Sequence, residues 1–167
     1  TIYEHQVYFR PNITLEPADP DGMVTIDCEN AGGGIEIGGV VRRIRFERVD
    51  GDASKNVESA VVARGDLLVE GCEFYQCENN YNGAAITAYN DLTVSNCSFN
   101  SCRTWGGIGD SGLGGAIYSG FPGELVVVDS TFQDCFAAEG GGAVHVIGGS
   151  FIQRSRFVNC YAAGDGG

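Results

Sequence analysis

The chain has 167 residues, enough for one domain with its own core. It carries 10 Lys and Arg against 22 Asp and Glu, a formal charge of −12 that repels phosphate backbones and anionic lipid headgroups, which argues against nucleic acid and basic-patch membrane partners. No apolar run approaches the roughly 18 residues of a membrane span, and a chain that is 43% hydrophobic with 26 glycines recurring in phase is not a disordered one.

Residues 1–30 read as an N-terminal strand with a cap or linker. The aromatic-rich stretch at residues 2–9 is a strand candidate, and Pro11, Pro17 and Pro20 keep the following chain extended and non-helical. Such a segment either covers the first rung of its own chain or adds a strand to a neighbouring subunit. Asn12-Ile13-Thr14 is a glycosylation sequon.

From residue 31 to 167 a cassette returns five times. It reads Gly-Ala-Ile/Val, then a short apolar strand, then [Cys/Ser]-x-Phe-x-x-Cys. The first copy, from Gly34-Ile35 to Phe46 and Val49, is degenerate; the second runs from Ala60-Val61 to Cys72, Phe74 and Cys77. The third runs from Gly83-Ala84-Ala85-Ile86 to Cys97-Ser98-Phe99-Asn100-Ser101-Cys102. The fourth runs from Gly115-Ala116-Ile117 to Phe132 and Cys135, and the fifth from Gly142-Ala143-Val144 to Phe157 and Cys160. The phenylalanines are spaced by 28, 25, 33 and 25 residues. A period in the twenties built from short strands and glycine turns is a solenoid.

Each cassette alternates apolar and polar residues at period two, which predicts two or three strands of three to five residues. The fold class is therefore all-β: a parallel β-helix, right-handed by the crossover rule, of about five rungs stacked ~4.8 Å apart. Three internal ladders follow. They are Phe46, Phe74, Phe99, Phe132 and Phe157; Ile35, Val61, Ile86, Ile117 and Val144; and Val49, Cys77, Cys102, Cys135 and Cys160.

There are seven cysteines, without a Cys-x-x-Cys pair or a histidine cluster, so a zinc site is poorly supported and no cofactor is implied. Cysteines in register on adjacent rungs lie near the Cα window of about 4.4–6.8 Å for a disulfide. The expected pairs are Cys72 with Cys97, Cys77 with Cys102, and Cys135 with Cys160, in an oxidising compartment. Seven is odd, which leaves Cys28 or Cys160 to pair outside this segment. Asn96-Cys97-Ser98 is a second sequon, so covalent N-glycans at Asn12 and Asn96 are expected on a secreted or cell-surface protein. The chain stops at Gly164-Asp165-Gly166-Gly167, where another Gly-Gly-Ala-Ile is due, and a trimmed or partial chain is expected.

The repeats resemble those of the polymorphic outer membrane proteins of chlamydiae, whose passengers repeat Gly-Gly-Ala-Ile/Leu and Phe-x-x-Asn. Gly114-Gly115-Ala116-Ile117 matches the first motif, and Gly141-Gly142-Ala143-Val144 is a close variant. The Asn slot holds Cys77, Cys102, Cys135 and Cys160 instead. Over residues 31–167 the resemblance implies a right-handed parallel β-helix, a surface or extracellular location and adhesive or structural roles. It implies no catalytic residue.

Three candidate sites remain. Asp66, Asp91 and Glu124 precede equivalent leucines and form an acidic column, the arrangement a polysaccharide-acting β-helix would need, though no Lys or Arg aligns beside it. The stretch from Arg103 through Trp105 to Asp110 reads as an insertion, carries the only Trp, and is a candidate ligand or partner loop. Gly109-Asp110-Ser111-Gly112 resembles a serine-protease nucleophile stretch, but His5 and His145 have no supporting context. His145 and the Arg42-Arg43-Ile44-Arg45 cluster read as outward-facing, with Glu36 and Glu47 near enough to offset the arginines. The expected function is an extracellular structural or adhesive β-helix, not an enzyme, that self-associates into a filament or binds other surface proteins. The alternative is a polysaccharide-binding or polysaccharide-degrading β-helix.

Overall fold

The computed structural model describes residues 7–9, 12–30, 32–51, 59–106 and 112–164. All paired strands run parallel, and no helix occurs among the described residues. The first two coils have three strands, as predicted, and the later ones four, one on each of four faces. Face 1 holds Ile86–Ala88, Ile117–Ser119 and Val144–Val146; face 2 holds Leu92–Ser95, Leu125–Val128 and Ser150–Gln153. In the first two coils these faces merge into the long strands Ile35–Arg42 and Val61–Glu70, with a register shift between Ile37 and Gly39. Face 3 holds Ile44–Glu47, Glu73–Tyr75, Ser98–Asn100, Thr131–Gln133 and Arg156–Val158. Face 4 holds Asp50–Gly51, Glu78–Asn79, Arg103–Thr104, Phe136–Ala137 and Tyr161–Ala162.

The N-terminal segment joins this winding. Val7–Tyr8 and Ile13–Leu15 pair with Ile35–Arg42, and Val24–Asp27 pairs with Ile44–Glu47, all parallel. The predicted strand at residues 2–9 is thus seen at its end, while residues 1–6 lie outside the described residues. The segment rests on its own chain's first coil.

The three predicted ladders are present. Ile35, Val61, Ile86, Ile117 and Val144 are register partners in turn. The phenylalanines stack face to face with centroids 5.3, 4.8, 4.6 and 4.7 Å apart. The first four rings are fully buried; Phe157, on the last coil, is 43% exposed.

Why the cassette has its wording becomes clear at the corners. Between faces 2 and 3 the chain turns on one residue with positive φ: Arg43, Gly71, Asn96, Asp129 or Arg154. Between faces 3 and 4 it turns on Arg48, Gln76, Ser101, Asp134 or Asn159. A left-handed residue reverses the side-chain alternation, so the next side chain points inward where space is narrow. Cys, Ser or Val fits there. In the first column Cys72 N–H donates to Cys97 Sγ (3.4 Å), Cys97 N–H to Ser130 Oγ (3.2 Å) and Ser130 N–H to Ser155 Oγ (3.2 Å), which satisfies corner amides that no strand reaches.

Those contacts bear on the disulfides. All seven cysteines are free, so the expected bonds within the three pairs are not formed. The six cysteines from Cys72 to Cys160 sit at the coil corners, each just outside a strand. The thiols of Cys102, Cys135 and Cys160 instead donate to the carbonyls of Phe74, Phe99 and Phe132 one coil back, at 3.8, 3.9 and 3.6 Å. Burial pushes the Cys102 thiol well up, and at the open N-terminal end burial with the Asp27 charge pushes Cys28 up to about 11. Protonated, and apart from Cys28 and Cys160 fully buried, these residues act as small apolar side chains.

Candidate functional site

On face 4 the residue just after each ladder cysteine points outward. Successive coils place Glu78, Arg103, Phe136 and Tyr161 there, in register. Trp105 lies two residues beyond Arg103, and its N–H bonds to the Asn79 carbonyl (2.9 Å), so it extends the ladder. Arg103 and Trp105 therefore belong to the rod wall rather than to a bulging loop. The insertion is also divided: 12 residues separate Thr104 from Ile117 where 6 separate Ala137 from Val144, and 5 separate Ser119 from Leu125 where 3 separate Val146 from Ser150. Asp110 and the protease-like stretch from Gly109 to Ser111 lie outside the described residues.

The result is an exposed aromatic strip along the rod. The Trp105 ring is 5.5 Å from Phe136, which is 5.6 Å from Tyr161. Trp105 is 51% exposed and Tyr161 58%. Trp105 Nε1 donates to Glu78 Oε2 at 3.2 Å, which fixes the indole orientation. The three rings, with Arg103, Asp134 and Asn159, line a groove of about 330 Å³. Asn159 Nδ2 donates to Asp134 Oδ1 (3.0 Å), and this bond, a second from Gln133 and the charge of Arg103 hold the Asp134 carboxyl below its usual range. Beyond Arg103 the groove continues as a polar cleft of about 280 Å³ lined by Asn30, Gln76, Glu78 and Ser101. Phe136 and Tyr161 were not singled out by sequence reasoning. Period-two alternation counted onward from Cys135 and Cys160 would have found them.

The acidic column is where the sequence puts it. Leu67, Leu92 and Leu125 are register partners, so Asp66, Asp91 and Glu124 stack at one corner, all exposed. Glu124 N–H donates to Asp91 Oδ1 at 3.0 Å. None of the ion pairs among the described residues involves the three acids, and no group of His, Cys, Asp and Glu there is arranged to hold a metal ion.

Other charges pair across coils, apart from Arg45 with Glu47 in one strand. Arg42 meets Glu70 (2.7 Å), Arg45 meets Glu47 and Glu73 (2.7 and 3.1 Å), Arg48 meets Asp27, and Arg154 meets Asp129 (2.6 Å). The arginine cluster is neutralised largely as expected, except that Glu36 binds Arg64 (3.0 Å) and Glu16 approaches Arg43 (3.8 Å). Both sequon asparagines are exposed; at Asn96 the corner conformation turns that side chain out while Cys97 is buried.

His145 follows the aliphatic ladder on face 1 but is half-buried, because its ring stacks on Tyr118 at 5.7 Å and 5°. Burial lowers its pKa below the ordinary 6.5. The unfolded chain thus takes up a proton more readily, and stability from the neutral ring is complete above about pH 6.5 and lost as pH falls below it. We expect the melting temperature to drop between about pH 7.5 and about pH 5.5, and His145→Phe, which keeps the stack, to flatten that drop. Calorimetry across that range checks it; an unchanged slope in the variant rules the histidine out.

A family model described as right handed beta helix region matches residues 21–164. No curated protein and no solved structure matches the chain.

Proposed function

The chain belongs to the right handed beta helix family, and from that premise we propose that it is a structural and adhesive rod of the extracellular surface that self-associates through its coil edges. Within these 167 residues, the observation that supports this reading is the apolar character of the two coil edges. The last coil leaves Ile152, Phe157 and Tyr161 exposed, with core groups Val144, Val146 and Cys160 lining the same recess. The first leaves Phe9, Leu15, Ile26 and Cys28 around a recess of about 450 Å³. Each edge offers unpaired strand groups to a further parallel strand.

Charge favours head-to-tail order. Among the described residues Asp19, Asp21 and Glu29 near the first edge have no ion pair, and Arg156 on the last coil has none either. Heterologous contacts of this kind propagate as filaments when the rotation does not close. The surface location is supported by the charge of −12, by the outward sequons Asn12 and Asn96, and by the resemblance to polymorphic outer membrane protein passengers.

In a preparation of these 167 residues the source of another coil is a second copy. Sedimentation velocity and negative-stain microscopy should find end-to-end multiples of the rod that shorten as salt is raised. Phe157→Asp, which puts a charge on the open edge, should leave single rods. Single rods from the unaltered chain at every concentration, or multiples indifferent to Phe157→Asp, would sink the assembly reading.

A further inference from the structure

The geometry points to the face 4 groove as a binding site for an uncharged oligosaccharide lying along the rod axis. This deepens the adhesive reading by naming its ligand, and rests on it only to that extent.

Three observations meet there. First, Trp105, Phe136 and Tyr161 present aromatic rings on successive coils, 5.5 and 5.6 Å apart. Exposed rings of this size on an acidic rod are costly unless something covers them. The electron-rich face of an aromatic ring suits the C–H face of a pyranose, and the advance of one coil, ~4.8 Å, is close to the length of one sugar ring. Second, the rim is made of hydroxyl-matching groups. Asp134 and Asn159 stand beside the rings, with Gln76 and Ser101 further along the same corner column. The Asp134 carboxylate, already held ionised by Asn159, retains lone pairs for sugar hydroxyls.

Third, charge selects the ligand. Among the described residues Arg103 and Arg156 are the arginines without an ion pair, and Arg103 lies between the aromatic and polar halves of the groove. Its charge offsets only part of those of Asp134 and Glu78, so the site keeps a mild negative balance, and the rod as a whole at −12 repels polyanions. That combination matches a neutral polyhydroxyl chain and disfavours a polyuronate.

Trp105 is the only tryptophan, which makes its emission a direct reporter. The experiment titrates the intact chain with neutral β-glucan, xylan, mannan and chitin hexasaccharides, and with an oligouronate, following Trp105 fluorescence. At least one neutral oligomer should shift the emission saturably. Phe136→Ala and Tyr161→Ala should each weaken it about tenfold, and Arg103→Ala likewise, with circular dichroism unchanged. Phe121→Ala, an exposed aromatic away from face 4, should bind as the unaltered chain does. Should the face 4 variants unfold, Tyr161→Ser on the exposed last coil and perturbation of the Trp105 indole N–H signal in the unaltered chain carry the test. No response from any neutral oligomer, binding indifferent to Phe136 and Tyr161, or preference for the oligouronate overturns the proposal. Phe136→Ala and Arg103→Ala leave the exposed edge residues Ile152, Phe157 and Tyr161 in place, so they separate binding from assembly, which sedimentation reads.

Discussion

Phe99→Ala should cost about 3–5 kcal/mol of stability, the range for emptying a fully enclosed aromatic site. Phe99 is 1% exposed and lies between Phe74 at 4.8 Å and Phe132 at 4.6 Å, so its removal opens a gap across the whole rod. Rungs hydrogen-bonded above and below cannot collapse into that gap without breaking ladders on four faces. At ~2–4 °C per kcal/mol for a chain of this size, the melting temperature should fall by about 6–20 °C. Phe157→Ala is the control. Its ring has one stacking partner and is 43% exposed, so both the burial lost and the cavity left are smaller. Differential scanning calorimetry on both variants decides the matter. Equal losses would mean that the internal stack is not what holds the coils together.

The ladders were legible because a solenoid repeats its spacing in sequence, and one phenylalanine per coil survives all five times. What surrounds them was less so. Corner residues as unlike as Arg43, Gly71 and Asn96 share one backbone conformation, and no side-chain pattern announces it. The cysteines were visible as one or two per coil, yet their spacing does not say whether a corner thiol meets a neighbouring thiol or, as for Cys102, Cys135 and Cys160, a carbonyl of the preceding coil. The half coil formed by Val7–Tyr8, Ile13–Leu15 and Val24–Asp27 lacks the cassette altogether; it is recognised by the edge it pairs with. The acidic column could be read because each acid precedes a ladder leucine. The aromatic strip could not be read as a repeat, because its column changes chemistry at every coil, from Glu78 to Arg103 to Phe136 to Tyr161. Inward positions repeat because packing demands it. Outward positions are free to vary, and a surface function is written there.

Gly115→Ala should be among the most damaging single-methyl changes available, beyond about 4 kcal/mol. A Cβ at Gly115 would stand 2.1 Å from the Gly142 carbonyl oxygen and 2.5 Å from that of Phe136. Both obstacles are backbone already fixed in ladders, so neither can give way cheaply. The ordinary effect of Gly→Ala at an unstrained site is the reverse, a gain of about 0.4–1 kcal/mol from a less flexible unfolded chain. Gly65 supplies that contrast: its Cβ would meet only the Gly38 Cα at 3.9 Å, and Gly65→Ala should stabilise by that amount. Opposite signs in paired denaturant titrations are the expected result, and the same sign at both positions would refute the crowding argument. The Gly115 change should also reach the surface. Its obstacle is the backbone of Phe136, and at Gly142 the corresponding obstacle is the backbone of Tyr161, so the small residues of the cassette are what let face 4 close against face 1. A methyl group there displaces the aromatic strip from inside the rod. Trp105 emission in Gly115→Ala should therefore differ from that of the unaltered chain even under conditions where most molecules remain folded, whereas in Gly65→Ala it should not.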